Sequence, residues 1–321
     1  MLIPKINDIE IAYSLIKDKI HQTPVLTNSH INSISNSNIF FKCENFQKVG
    51  AFKYRGATNA VMNLVKSGYN EIVATHSSGN HAQALALAAR ENGLKAIIVM
   101  PDNSPKVKVD AVRGYGAEIV FCEANIEARE TTLQKILKEK EAKFIHPYTN
   151  FDVISGQGTA SLELIKEIQN LDIIITPVGG GGLLSGTLIT SKELDPEKNN
   201  ISKNIKVYAA EPKMANDAYI SFKTKKRVET FTPNTICDGL RTTIGEINFE
   251  IMNKYLDDVL LAEENEIIAA MRLIWERMKI IIEPSCAVPL AVILKNKEIF
   301  ANKKVGVILT GGNVDLGNLP W

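Results

Sequence analysis

The chain has 321 residues, 45% of them hydrophobic and 23% charged, enough for one large or two medium globular domains. Its 37 Lys and Arg against 36 Asp and Glu offer no global field for nucleic acid or an anionic membrane surface, which leaves a small molecule as the expected partner. The opening residues mix charges and no run of about 18 apolar residues occurs, so neither a signal peptide nor a membrane span is expected and the chain reads as cytoplasmic.

In chain order, β-branched runs at 39–44 (IFFKCE), 71–76 (EIVATH), 95–100 (KAIIVM), 117–122 (AEIVFC), 143–147 (KFIHP), 172–178 (DIIITPV), 206–212 (KVYAAEP) and 305–312 (VGVILTGG) are predicted strands. Helical apolar spacing separates them, most clearly at 82–93, 126–141 and 158–169. This alternation predicts an α/β protein with mostly parallel sheets covered by helices on both faces. The unit strand, turn, helix recurs without a break from about Glu71 to Ala142, which suggests a compact unit inserted into a larger one. Cys43, Cys122, Cys237 and Cys286 lie far apart without a CxxC pair and are expected to be reduced thiols.

Three strands end in small or hydroxyl residues: THSSGN at 75–80, PVGGGG at 177–182 and ILTGGN at 308–313. Ligands of open α/β sheets bind at the carboxyl ends of strands, so these turns are the places to look for a site. Gly179, Gly180, Gly181 and Gly182 follow a buried-type strand and precede a helix, where unobstructed N–H groups can hold a phosphate. A dinucleotide fingerprint is absent, since from Gly180 the residues read G-G-G-L-L-S. A P-loop is absent as well, because Thr187 stands where its lysine belongs. Glu211 and Asp217, with the Ala215 carbonyl between them, are hard oxygen donors suited to Mg²⁺, Ca²⁺ or Mn²⁺, although on the bare spacing a solvated turn is the favoured reading.

Gly50-Ala51-Phe52-Lys53-Tyr54-Arg55-Gly56 opens a helix after the strand at 39–44. Together with SSGNHAQA at 77–84, the tetraglycine and the TGGN turn at 310–313, it closely resembles the fold-type II pyridoxal-phosphate family, in particular its serine racemase and threonine or hydroxyaspartate ammonia-lyase branch. The resemblance covers essentially the whole chain, with four motifs in register. It implies two open, twisted, mostly parallel sheets flanked by helices, a large domain of 1–65 and 151–321, a small domain of 66–150, and the cofactor in the cleft between them. It implies pyridoxal 5′-phosphate on Lys53 as a Schiff base, beside Phe52, with its phosphate on Gly179 to Gly182 and Leu183. Asn80 is then the partner of the cofactor 3′-oxygen, Glu283 a neighbour of the ring, and Thr310 the hydroxyl facing the ring nitrogen. A hydroxyl there is expected to leave the ring unprotonated, which suits β-elimination and proton exchange at Cα.

The resemblance further implies Ser77, Ser78, Asn80, His81 and Thr242 on the substrate side, and Lys53 and Ser78 as proton carriers on opposite faces of Cα. The expected activities are interconversion of L- and D-serine and loss of water from a β-hydroxy amino acid. Glu211, Ala215 and Asp217 match a divalent-cation site, ATP is a possible effector, and a homodimer is the implied assembly. No C-terminal effector domain follows the TGGN turn, so isoleucine control is not expected. Tyr148 and Arg241-Thr242-Thr243 depart from mammalian-type racemases and leave room for a second substrate carboxylate. Two other readings stay open: a non-catalytic module for a phosphorylated metabolite, which has no use for an imine-forming lysine, and β-replacement of the cysteine-synthase type. The basic run Lys223, Lys225, Lys226, Arg227 reads as a solvated face.

Overall fold

The computed structural model describes residues 2–77, 79–104, 106–199 and 204–321. Its ten strands are β1 (Val25–Leu26), β2 (Asn38–Cys43), β3 (Ile72–His76), β4 (Lys95–Pro101), β5 (Glu118–Cys122), β6 (Lys143–Phe144), β7 (Ile173–Pro177), β8 (Lys206–Pro212), β9 (Asp258–Ala262) and β10 (Lys304–Leu309). They form a six-stranded sheet in the order β1-β2-β10-β7-β8-β9 and a four-stranded sheet in the order β5-β4-β3-β6. Every pairing is parallel except β1 with β2. All eight sequence-predicted strands are present. The two not foreseen are the two-residue β1 and β9, which closes the far edge of the larger sheet.

Side chains alternate along a strand, so a parallel sheet buried on both faces feeds two cores at once. On β10, Val305, Val307 and Leu309 enter one core with Ile173 and Ile175 of β7, while Ile308 and Ile174 enter the other. The smaller sheet divides likewise, with Ile98 and Met100 on one side and Ile97 and Val99 on the other.

The helix Phe151–Glu167 lies against two neighbours through glycines. A Cβ on Gly156 would stand 2.7 Å from Gly56 Cα in the helix Lys53–Lys66, and one on Gly186 in the helix Gly182–Glu193 would stand 2.5 Å from Gly158 N. These close contacts fix the helix bearing Lys53 and the helix following the tetraglycine to one scaffold. A buried ion network anchors the same region: Arg55 bonds Glu44 and Glu163, and Lys42 bonds Glu163 at 2.6 Å. Two cations and two anions leave no net buried charge, the condition under which such a cluster persists.

Candidate active site

The carboxyl ends of β2, β3, β6, β7 and β10 are followed by the segments carrying Lys53, Ser77 to Asn80, His146 to Tyr148, Gly179 to Gly182, and Thr310. The turn before Lys53 is held in an unusual backbone. Val49 adopts φ 56° and Gly50 φ 67°, and a β-branched residue with positive φ costs roughly 1–3 kcal/mol. The Val49 carbonyl accepts from Asn313 Nδ2 at 2.8 Å, Gly50 O accepts from Gly312 N at 2.9 Å, and Phe52 N donates to Thr310 O at 2.9 Å. The lysine turn and the TGGN turn are therefore clasped together.

Lys53 is part-buried, its amine donating to Pro147 O at 2.9 Å. Burial draws its pKa down from 10.5 to about 8, opposed by Glu283. A lone lysine at a helix start is usually solvated; burial brings the free amine of this one within reach at a pH more than two units lower than for a solvated lysine. Glu283 caps the helix Pro284–Lys295 and is only 3% exposed. Burial, with Asp238 adding to it, holds its carboxyl well above the usual range. Asn80 Nδ2 donates to both Glu283 oxygens at 3.0 and 3.1 Å, and its Oδ1 accepts from Asn313 at 2.8 Å, so its amide orientation is fixed from both sides.

The tetraglycine forms a cradle in which side chains have no room. A Cβ on Gly180 would lie 2.4 Å from the Tyr148 ring, and Gly181 adopts φ 91° at the start of the helix Gly182–Glu193. Among the described residues, the amides of Gly179 to Leu184 donate to no protein acceptor; the first helical bond is that of Ser185 N to Gly181 O. Free N–H groups at a helix N-terminus are suited to an anion such as phosphate. Thr310 is 4% exposed, and Gly311, beside it, lies against the Glu283 carboxyl. A part-buried amine of lowered pKa, an anion cradle and a buried hydroxyl fit pyridoxal 5′-phosphate as a group.

After β3, Ser77 Oγ accepts from Gly79 N at 3.3 Å, at the start of the helix Asn80–Glu91, which has no side-chain cap. Ser78 lies outside the described residues. His81 Nε2 meets Ile145 O at 3.0 Å while Nδ1 is buried without a partner among the described residues, and burial, with Lys53 adding to it, drives its pKa to about 3. His81 is therefore a neutral ring. His146 is held to about 3 as well, chiefly by burial, and its Nδ1 accepts from Thr149 N at 3.1 Å. Thr242 is exposed, and the Arg241 guanidinium is committed to Thr235 O at 2.6 and 3.0 Å. Sequence reasoning passed over Arg129. Its Nε is buried without a partner among the described residues, and its charge adds to burial in lowering the pKa of His76 at the end of β3.

Glu211 and Asp217 come together beside the larger sheet. Glu211 accepts from Ala218 N at 2.9 Å and Tyr219 N at 2.8 Å, and burial followed by repulsion from Asp217 raises its pKa well above the ordinary value. Asp217 Oδ2 accepts from Ile244 N at 2.8 Å, its Oδ1 is buried without a partner among the described residues, and burial raises its pKa to about 6. An unpartnered carboxylate oxygen beside a second, repelling carboxyl fits a hard cation. Among the described residues no cluster of three or more His, Cys, Asp or Glu side chains could hold a metal, so carbonyl and water ligands would have to complete such a site.

The chain is 50% identical to serine racemase of Dictyostelium discoideum over 98% of its own length and 96% of that protein. It is 46% identical to β-hydroxyaspartate dehydratase of Paracoccus denitrificans over the full length of both. The crystal structure of the Dictyostelium serine racemase superposes with a TM-score of 0.90, covering 97% of this chain and 99% of that one. The family model for pyridoxal-phosphate dependent enzymes matches residues 16–311, and the chain belongs to that family.

Proposed function

We propose that the chain is a serine racemase that interconverts L- and D-serine and, as a side reaction, eliminates water from serine to give pyruvate and ammonia. The observation that carries this reading is the Lys53 amine, bonded to Pro147 O at 2.9 Å and drawn by burial to about 8 against the opposing charge of Glu283. Lys53 holds pyridoxal 5′-phosphate, with Phe52 beside it, the amides of Gly179 to Gly182 and Leu183 around its phosphate, Asn80 at its 3′-oxygen, Glu283 near its ring and Thr310 at its ring nitrogen. When bound, the cofactor withdraws electrons from the substrate Cα and so acidifies the Cα–H bond.

Lys53 removes or returns the Cα proton on one face, and Ser78 does so on the other. Ser77, Asn80, His81 and the start of the helix Asn80–Glu91 receive the substrate carboxylate, with Thr242 toward the β-substituent; a neutral His81 acts there as a hydrogen-bonding group. The smaller unit, 66–150, and the larger, 1–65 with 151–321, form the two walls of the cleft. Glu211, Asp217 and the Ala215 carbonyl hold Mg²⁺ or a like cation. A cytoplasmic homodimer responsive to ATP completes the reading, on the strength of the resemblance.

A second reading, ammonia-lyase acting on threo-3-hydroxyaspartate, is favoured by the full-length likeness to β-hydroxyaspartate dehydratase and by the uncommitted Nε of Arg129, a cation able to meet a second carboxylate. The test is incubation of the cofactor- and Mg²⁺-loaded protein with L-serine and, separately, L-threo-3-hydroxyaspartate. D-serine formation supports the racemase; oxo acid without D-serine, strongest from hydroxyaspartate, replaces it with the ammonia-lyase.

A further inference from the structure

Behind the Thr310 hydroxyl lies a thiol that the proposed chemistry does not use. Cys286 is fully buried in the first turn of the helix Pro284–Lys295, and burial pushes its pKa up, so the sulfur keeps its proton at neutral pH. Its Sγ has three polar neighbours: Gly311 N at 2.9 Å, Gly311 O at 2.8 Å and Thr310 Oγ1 at 3.2 Å. The amide can only donate, so it occupies a sulfur lone pair. The carbonyl can only accept. At 2.8 Å two lone pairs would repel, so the thiol proton lies between Sγ and Gly311 O. A thiol has no second proton, and the remaining contact must be made by the Thr310 hydroxyl donating to sulfur.

That hydroxyl also has a single proton. In the reading given above, on which this inference rests, it faces the cofactor ring nitrogen, a second acceptor. We propose that Cys286 is a positioning residue: its sulfur competes with the ring nitrogen for the Thr310 hydroxyl proton and weakens the hydrogen bond that the nitrogen accepts. A ring nitrogen less engaged by Thr310 stays more basic and more often protonated, hence a stronger electron sink. This favours proton exchange at Cα over loss of the β-hydroxyl. Cys286 thus tunes the partition between the two reactions without touching the substrate.

The experiment is nuclear magnetic resonance of holoenzyme loaded with pyridoxal phosphate carrying ¹⁵N in the ring, with thermal melting and the racemisation-to-elimination ratio measured on the same samples. Cys286→Ala releases the hydroxyl to the ring, so the ¹⁵N resonance moves toward the unprotonated, hydrogen-bonded position. The ratio falls about fivefold, the weight of one ordinary hydrogen bond. Cys286→Ser supplies an oxygen that can accept the same proton and leaves the resonance near the wild-type position. In a Thr310→Ala background, Cys286→Ala has no further effect on the resonance. A resonance unmoved by Cys286→Ala, even with a lowered melting temperature, reduces the thiol to core filling and overturns the proposal, as does a Cys286→Ser resonance that moves with that of the alanine variant. Wild-type protein that shows no visible absorption after cofactor loading instead overturns the cofactor reading itself, and this inference with it.

Discussion

At the scale of single residues, burial decides what Lys53 can do. Its amine is protonated below about 8 and cannot attack an aldehyde there. Cofactor capture by the apoprotein, followed by visible absorption, is expected to quicken as pH rises and to level off above about 8; Lys53→Ala should show no band at any pH. The same shift bears on stability. The unfolded amine titrates near 10.5 and the folded one near 8, so between those values the unfolded chain binds more protons and stability rises with pH. The penalty is complete below about 8 and relieved by about 10.5. Melting temperatures of the apoprotein across that window should climb less in Lys53→Met than in wild type. Ser78→Ala should lose racemisation by roughly 10²–10⁴-fold while keeping elimination, because only one face of Cα then lacks a proton carrier. Chiral separation of the serine product checks it, and unimpaired racemisation would sink the two-carrier reading. Lys53, Asn80, Glu283 and Thr310 were legible because each sits in a local motif. Arg129 and Cys286 were not, since their significance comes from neighbours distant in the chain: His76 for one and Gly311 for the other.

At the scale of elements, the sequence displayed strands by composition but hid the packing that aims them. The tetraglycine was conspicuous, whereas Gly56, Gly156, Gly158 and Gly186 look like ordinary helix interruptions until the helices are seen crossing through them. Gly156→Ala drives a methyl group into Gly56 Cα and the Arg55 carbonyl, both 2.7 Å from the added carbon, where backbone cannot yield as a side chain would. Overpacking of this kind costs about 1–3 kcal/mol. A urea midpoint lowered accordingly, with weaker cofactor affinity from displacement of the Lys53 helix, is the expected result; an unchanged midpoint would mean that the helices separate freely. The edge strands escaped notice for a different reason. β1 has two residues and no periodicity to read, and β9 lies in a chain segment dense with acidic residues on both sides.

At the scale of the whole molecule, the carboxylates of Glu211 and Asp217 are joined to the glycine cradle by a short chain of backbone contacts. Asp217 Oδ2 accepts from Ile244 N, and the next residue, Gly245, donates from its own N to Gly180 O at 3.1 Å. Without a cation, Asp217 Oδ1 is buried with no partner among the described residues and the two carboxyls repel each other, which makes this corner costly to fold. A cation that binds the folded chain alone relieves that cost, and at a free concentration one hundred times its Kd it adds about 2.7 kcal/mol. Mg²⁺ should therefore raise the melting temperature of the holoenzyme and a chelator should lower it, with Asp217→Asn abolishing both responses. Because Ile244 and Gly245 connect this corner to Gly180, the chelated enzyme should also hold pyridoxal phosphate less tightly, as measured by its release on dilution. A melting temperature indifferent to Mg²⁺, Ca²⁺ and Mn²⁺ alike would return Glu211 and Asp217 to the role of helix and loop anchors, with one of the two carboxyls protonated in place of the cation.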